Sequence, residues 1–326
     1  MQLKNSFVLL TALTAGMAHG RLHGHERRHA HHEDKRGVGD MVYVTIAGKV
    51  ESWVNQYAGG GGGGGAKTAA PDSQPTGGSG SGTQTAPAAP AEPTDTIPAT
   101  TGAPTTDWFS TPENGQFTRE GFGKKTIANN KEYINYKGNV GDPWGSNIIE
   151  VTPDKAKNYR HVVEFQGSNQ DPWTVVFWNK MGPDGKLDGW YNGNSALKFT
   201  LEPGTSRYVA FDDDSQGSWG AAKGENLPTD MAGGYSCTWG EFDFANSGNN
   251  GWSGWDVSAI QAQAAGQEVQ GMKICTHDNQ KCSTVTRNAG NVINAYIMSL
   301  AKANGIGGNS VAGPLRLSAH LDFNDE

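Results

Sequence analysis

The chain has 326 residues, of which 18% are charged and 35% hydrophobic, and a formal net charge of −7. An acidic balance of this size argues against nucleic acid and anionic membranes as partners, since both attract basic surfaces. No stretch reaches the about 20 apolar residues that a membrane span needs, so no membrane partner is expected either.

The first segment reads as a leader. Lys4 precedes the apolar run Phe7 to Ala15, and small residues follow at Ala15, Gly16 and Ala18. That order is the signature of a secretory signal peptide over residues 1–18. Residues 19–36 hold six of the nine histidines. A His-rich tract can bind metal, and cleavage after Ala18 would make His19 a terminal residue of the kind that copper-dependent oxidative enzymes use. The simpler reading is a pro-segment ending at the dibasic pair Lys35-Arg36. Removing residues 1–36, with six Lys/Arg and three Asp/Glu, leaves a formal charge of −10.

Residues 37–58 form a short β island. Val42, Val44 and Ile46 alternate with Tyr43 and Thr45, and Gly48 can turn the chain into a second strand ending near Trp53. Residues 59–106 begin with seven glycines and continue almost only in Ala, Pro, Thr, Ser and Gly. They offer too little apolar surface to offset the entropy of ordering, and read as a linker. Without an Asn-x-Ser/Thr sequon anywhere in the chain, any glycan is expected to be O-linked here.

Residues 107–326 read as one β-rich domain. Strand-like runs recur at 133–136, 147–151, 161–165, 173–178, 196–201, 207–211 and 315–323, separated by Gly, Asn, Asp and Pro. Short strands with turn signals between them argue for a sandwich or barrel. One helix is expected over Val285 to Ala303. There Ala289, Ile293, Tyr296, Ile297 and Leu300 recur at helical spacing, with Gly305 as its cap. In an oxidising compartment Cys275 and Cys282, which flank a polar hairpin segment, are expected to pair and leave Cys237 as the odd thiol. A zinc site using His277 matches no standard spacing, and no metal or cofactor motif is present: no phosphate loop, no Ser-centred elbow and no HExxH.

The candidate site residues are aromatic and acidic. Nine of the ten tryptophans lie in this domain. Trp173 and Trp178 sit in hydrophobic runs and read as core. Trp190, Trp252 and Trp255 sit among Gly, Asn and Ser and read as exposed faces able to stack on sugar rings, with Trp239 beside them. Glu241 and Asp243 are two apart on a strand, so they share one face. Asp212, Asp213 and Asp214 follow another strand, and Asp256 follows Trp255. Two carboxylates across a cleft are what glycoside hydrolysis requires, one as acid and one as base or nucleophile. Because unpaired carboxylates are costly to bury, the Glu241/Asp243 face is expected to open to solvent as a trough walled by the loop tryptophans.

These residues carry a resemblance. RLHGHERRH, VGD, SWVNQY, YKGNVGDPWGSNIIEV, DPWTVVFWNKMGPDG, GWYNGNSAL, YVAFDDDSQGSWGAAKG, GGYSCTWGEFDF and GWSGWDVSAIQA resemble the Asp f 4-like family of secreted fungal allergens over most of the chain outside the linker. The resemblance implies a secreted fungal protein, extracellular or wall-associated, that host IgE binds, and it implies no enzymatic activity. Members of the family carry a cysteine where this chain has Thr118, which implies that Cys237 lacks a partner here. A shorter pattern, TLEPG, GSWG, CTWGEF and WDVS in that order, is similar to the thaumatin-like fold. That fold is a β-sandwich with an acidic cleft that binds, and in some members cuts, β-glucan. The similarity implies catalytic roles for Glu241 and Asp256. The sequence thus carries two functional expectations: a non-enzymatic module bound to cell-wall β-glucan, or a β-glucan hydrolase.

Overall fold

The structure, a computed structural model, describes residues 107–127, 136–167, 170–191 and 193–325, together with the backbone of three strands nearer the N-terminus. Those are β1 (Met41–Ile46), β2 (Lys49–Val54) and β3 (Thr100–Thr101). The leader, the His-rich segment, most of the linker and residues 133–135 of an expected strand lie outside the described residues. β1 and β2 form an antiparallel hairpin in which Ile46 faces Lys49 across the turn. The end of the segment read as linker is not all linker: Thr100 and Thr101 pair with a strand of the main domain.

The main domain is mostly β. Its strands are β4 (Ile148–Val151), β5 (His161–Gly167), β6 (Trp173–Asn179), β7 (Leu197–Leu201), β8 (Thr205–Phe211), β9 (Ser215–Lys223), β10 (Trp239–Asn246), β11 (Trp252–Ser258), β12 (Met272–Thr276), β13 (Cys282–Val285), β14 (Val292–Ile293), β15 (Gly308–Ser310) and β16 (Leu315–Leu321). Two one-turn helices, α1 (Pro153–Ala156) and α2 (Ile260–Ala264), complete it. One sheet has six strands in the order β15-β11-β10-β9-β6-β7. The other runs β14-β13-β12-β16-β5-β8-β3, with β4 also pairing β8. Pairing is antiparallel except between β16 and β5.

Strand alternation builds the core between the sheets. Trp173, Val175 and Phe177 of β6, Trp219 and Ala221 of β9, and Phe242 and Phe244 of β10 point inward. They meet Val163, Phe165, Val209, Phe211, Ile274 and Leu317 from the opposing sheet. Burial of this many large side chains, each worth roughly 1.5–3 kcal/mol, is the main driving force for the sandwich.

The six-stranded sheet is also covered on its outer face. Val176, Trp178, Trp190, Ala222, Leu227, Tyr235, Cys237 and Trp239 form a second cluster there. Trp178 and Trp173 are therefore both core, on opposite faces of one strand. Cys275 faces Cys282 across β12 and β13, and the two form the expected disulfide. Cys237 is free and fully buried, and burial pushes its thiol up to about 12.

The expected C-terminal helix is absent. Over Val285–Ala303 the chain forms a 3-10 turn at Arg287–Ala289, the short strand β14 against β13, and another 3-10 turn at Met298–Leu300. Asn288, Ala289 and Asn294 all take positive φ, which ends a right-handed helix wherever it occurs. Ile293, placed on the apolar stripe by spacing, is 52% exposed, whereas Tyr296 and Leu300 pack with Ile260 and Ile306 in a separate cluster.

Candidate functional site

Two acidic clusters can be compared residue by residue. The first is the turn between β8 and β9. Arg119 clamps Asp212 through Nε at 3.0 Å and Nη2 at 2.7 Å, and Asn139 Nδ2 donates to Asp212 at 2.8 Å. Asp213 accepts from Arg160 at 2.9 Å and lies 2.8 Å from His161 Nε2. Asp214 accepts from Tyr136 Oη at 2.6 Å and from the Ser247 backbone N–H at 2.8 Å. Burial alone would raise Asp213, but the His161 bond and the Arg160 charge outweigh it and bring it down to about 2. Burial lowers His161 further than Asp213 can raise it, so the imidazole is neutral at neutral pH. Its help to Asp213 is therefore a hydrogen bond rather than a full charge. Every carboxylate of this turn is partnered, and the turn is a structural clasp.

The second cluster lies on the outer face of the six-stranded sheet. β10 alternates Trp239, Glu241 and Asp243 outward with Phe242 and Phe244 inward. Register then lays a row across four strands: Trp178 on β6, Ser218 on β9, Glu241 on β10 and Asp256 on β11. In the next row Asp243 faces Gln216, whose Nε2 donates to it at 3.1 Å, and Asn246 Nδ2 donates at 2.7 Å. Lys180, just past the end of β6, is the nearby cation and reaches Gln216 Oε1 at 3.4 Å.

This face is sealed rather than open. Glu241 is 0%, Asp256 1% and Asp243 3% exposed. The expected solvent-lined trough is not there. Both carboxyl oxygens of Glu241 and of Asp256 are buried with no hydrogen-bond partner among the described residues. Burial, only partly offset by Lys180, pushes Glu241 up to about 8, and burial pushes Asp243 up to about 7 against the Asn246 and Gln216 hydrogen bonds and the Lys180 charge. Burial and the neighbouring Glu241 drive Asp256 well above the usual carboxylate range. Lys180 itself is lowered to about 8 by burial, against the pull of Asp243 and Glu241. The cost of burying Glu241 and Asp256 is thus met by protonation, the escape open to a carboxyl that cannot be paired, while Asp243 keeps its two amide donors.

The tryptophans expected at the surface are mostly inside. Trp190 and Trp239 pack with Trp178 and Tyr235 in the outer-face cluster, Trp239 donating its ring N–H to Tyr235 O at 3.1 Å. Trp255 is fully buried in the sandwich core. Of the four, Trp252 alone stays half-buried. The reason is a pairing that loop-like composition conceals. Trp219 sits opposite Gly240 and Trp255 opposite Gly308, and a Cβ at either glycine would overlap the facing indole. Glycine here clears a strand surface for the ring on its neighbour.

The sequence motifs give no hint of a further feature. A cavity of about 530 Å3 opens at the start of β6, the end of the strand away from Lys180, between the ends of β9, β13 and β16. Its residues come from six separate stretches of chain and share no motif, so no local signal marks it. Among the described residues no group of three His, Cys, Asp or Glu is placed to hold a metal ion, and no helix is long and apolar enough to cross a membrane.

Comparison with known proteins bears on the whole chain. The profile of the Allergen Asp f 4-like domain matches residues 146–321. Allergen Asp f 4 of Aspergillus fumigatus is 55% identical over 329 residues, covering 100% of both chains. A protein of Arthroderma benhamiae described as a probable circularly permuted 1,3-beta-glucanase is 52% identical over 42 residues, which are 13% of this chain and 9% of that one. Among solved structures, the protein elicitor MoHrip2 of Magnaporthe oryzae matches 50% of this chain and 99% of its own at 12% identity and a TM-score of 0.31, a likeness too distant to inform fold or function. The full-length identity and the matching domain place this chain in the Asp f 4-like allergen family.

Proposed function

We propose that this protein is a secreted fungal allergen, bound by host IgE, that associates with cell-wall β-glucan without cutting it. The observation that carries the non-hydrolytic reading is the sealed acid pair. Glu241 and Asp256 face each other in register, yet neither has an exposed carboxyl oxygen for a glycosidic bond to reach. A local likeness to a protein named as a glucanase supports glucan as the partner, and half-buried Trp252 supplies one accessible ring. The Cys275–Cys282 disulfide suits an oxidising, extracellular setting.

The test is incubation of purified protein with insoluble β-1,3-glucan. Retention in the pellet with no release of reducing sugar is expected. Failure of retention would remove the glucan assignment. A second reading, hydrolysis by Glu241 as acid with Asp256 as base or nucleophile, has one observation in its favour: two carboxyls held protonated and unpartnered side by side. Sugar release that Glu241→Gln abolishes while retention survives would establish that reading instead.

A further inference from the structure

The cavity at the start of β6 has the chemistry of a site for an uncharged, polyhydroxylated ligand. Four of its five charged side chains are already paired, and the fifth, Glu268, stands exposed at the rim. Lys223 pairs with Asp171 at 2.6 Å and Arg287 with Asp322 at 2.7 Å. A charged ligand would have to break either ion pair, whereas a neutral one can use the lone pairs and N–H groups that remain.

The remaining polar groups are placed for that use. Gln270 is buried and pinned by Thr238, whose backbone N–H donates to Gln270 Oε1 at 3.0 Å and whose hydroxyl donates to the Gln270 carbonyl at 2.7 Å. That leaves the Gln270 NH2 group as a fixed donor at the cavity wall. Asn226, Gln267 and Glu268 are exposed at its rim. Leu227, Pro228 and the edge of Trp173 provide apolar surface for the C–H side of a sugar ring.

Trp173 of β6 and Ala222 and Lys223 of β9 give the cavity one wall on the six-stranded sheet, and the connecting segments, with Arg287 after β13 and Asp322 after β16, supply the rest. A volume of about 530 Å3 falls inside the range of about 300–1,000 Å3 usual for small-ligand sites.

We infer that this cavity is an oligosaccharide-binding site, separate from the buried Glu241/Asp256 pair. It rests on the glucan reading above for the identity of its sugar, a short β-1,3-glucan chain.

The experiment is calorimetric titration of the whole protein with three probes: a β-1,3-glucan oligosaccharide, a chitin oligosaccharide and a mannan oligosaccharide. The β-1,3-glucan probe should bind saturably. The Asn226→Ala/Glu268→Ala double variant, both changes being at exposed positions, should weaken it by about tenfold through the loss of two hydrogen bonds. Asn226→Trp, which fills the mouth, should abolish it. Ile127→Ala, an exposed change outside the cavity lining, should leave the titration unchanged. Binding that neither cavity variant alters would overturn the cavity assignment and leave the glucan reading standing. Binding of chitin or mannan alone, lost in both cavity variants, would uphold the cavity and overturn the glucan reading. Silence with all three probes would overturn the cavity site, and retention on insoluble glucan then decides the glucan reading by itself.

Discussion

The two acidic clusters have similar composition and opposite physics. The Asp212–Asp214 turn gives each carboxylate a hydrogen-bond partner, from Arg119, Arg160, Tyr136 and neutral His161. The Glu241/Asp256 pair lies on a covered sheet face with Lys180 as the nearby cation and no hydrogen-bond donor, and burial favours its protonated form. A carboxylate that finds donors contributes stability as an anion, whereas one that finds none survives burial only by keeping its proton. Two outcomes of one residue type are therefore set by neighbours distant in sequence.

The largest test of the contrast is removal of a partnered acid. Asp214→Ala removes the acceptor of buried Tyr136 Oη and of the Ser247 Oγ and N–H at the surface, leaving the two hydroxyls only each other. The expected loss is about 3–4 kcal/mol, or roughly 10 °C in the thermal midpoint of a domain of this size. A loss under about 1 kcal/mol would mean that the clasp does not hold the turn.

Glu241→Gln should act in the opposite sense and depend on pH. The folded pKa of Glu241 is raised, so its stability contribution is complete below the unfolded value near 4.3 and is lost as pH rises toward about 8. Lys180, at about 8, stays mostly charged through that window. The variant should match the wild type near pH 4 and exceed it at pH 8 by on the order of 1–3 kcal/mol, read from chemical denaturation at the two pH values. Equal stabilities at pH 8 would show that Glu241 is paired and ionised after all.

The smallest expected effect lies on the acid side. The folded pKa of Asp213 is lowered to about 2, so its contribution is present above the unfolded value near 3.9 and is lost as pH falls toward 2. Because a third of its side chain is exposed, solvent screening limits this to about 1 kcal/mol. Asp213→Asn should flatten the stability curve between pH 4 and pH 2 and leave its alkaline side unchanged. A change confined to the alkaline side would invert the assignment of the two clusters.

The elements that were legible are those whose local composition matched their surroundings. β4, β5, β6, β8 and β16 are dense in β-branched and aromatic residues, and each appears within a few residues of its expected span. β9, with SQGSWGAAK, and β11, with WSGWDVS, escaped the strand reading because their glycines look like loop. Their indoles settle over glycines of adjoining strands, a fit that exists only once those strands are paired. The expected helix failed for a related reason. Its apolar spacing was real, but Asn288, Gly290, Asn291 and Asn294 favour turns, and pairing of β14 with β13 satisfies the backbone another way.

By itself the sequence determined the β-rich class, the short Cys275–Cys282 loop that closes as a disulfide, the unpaired Cys237, and the placing of Glu241 and Asp243 on one strand face. Those depend on spacing and alternation, which are local. The tertiary structure alone decided whether that face met water. Alternation assigns side chains to a face but says nothing of what packs over it. Here Trp178 and Trp190, distant in sequence from the acids, help to build a second layer on the outer face of the same sheet. That face carries the carboxyls, and it has become an interior where protonation replaces solvation.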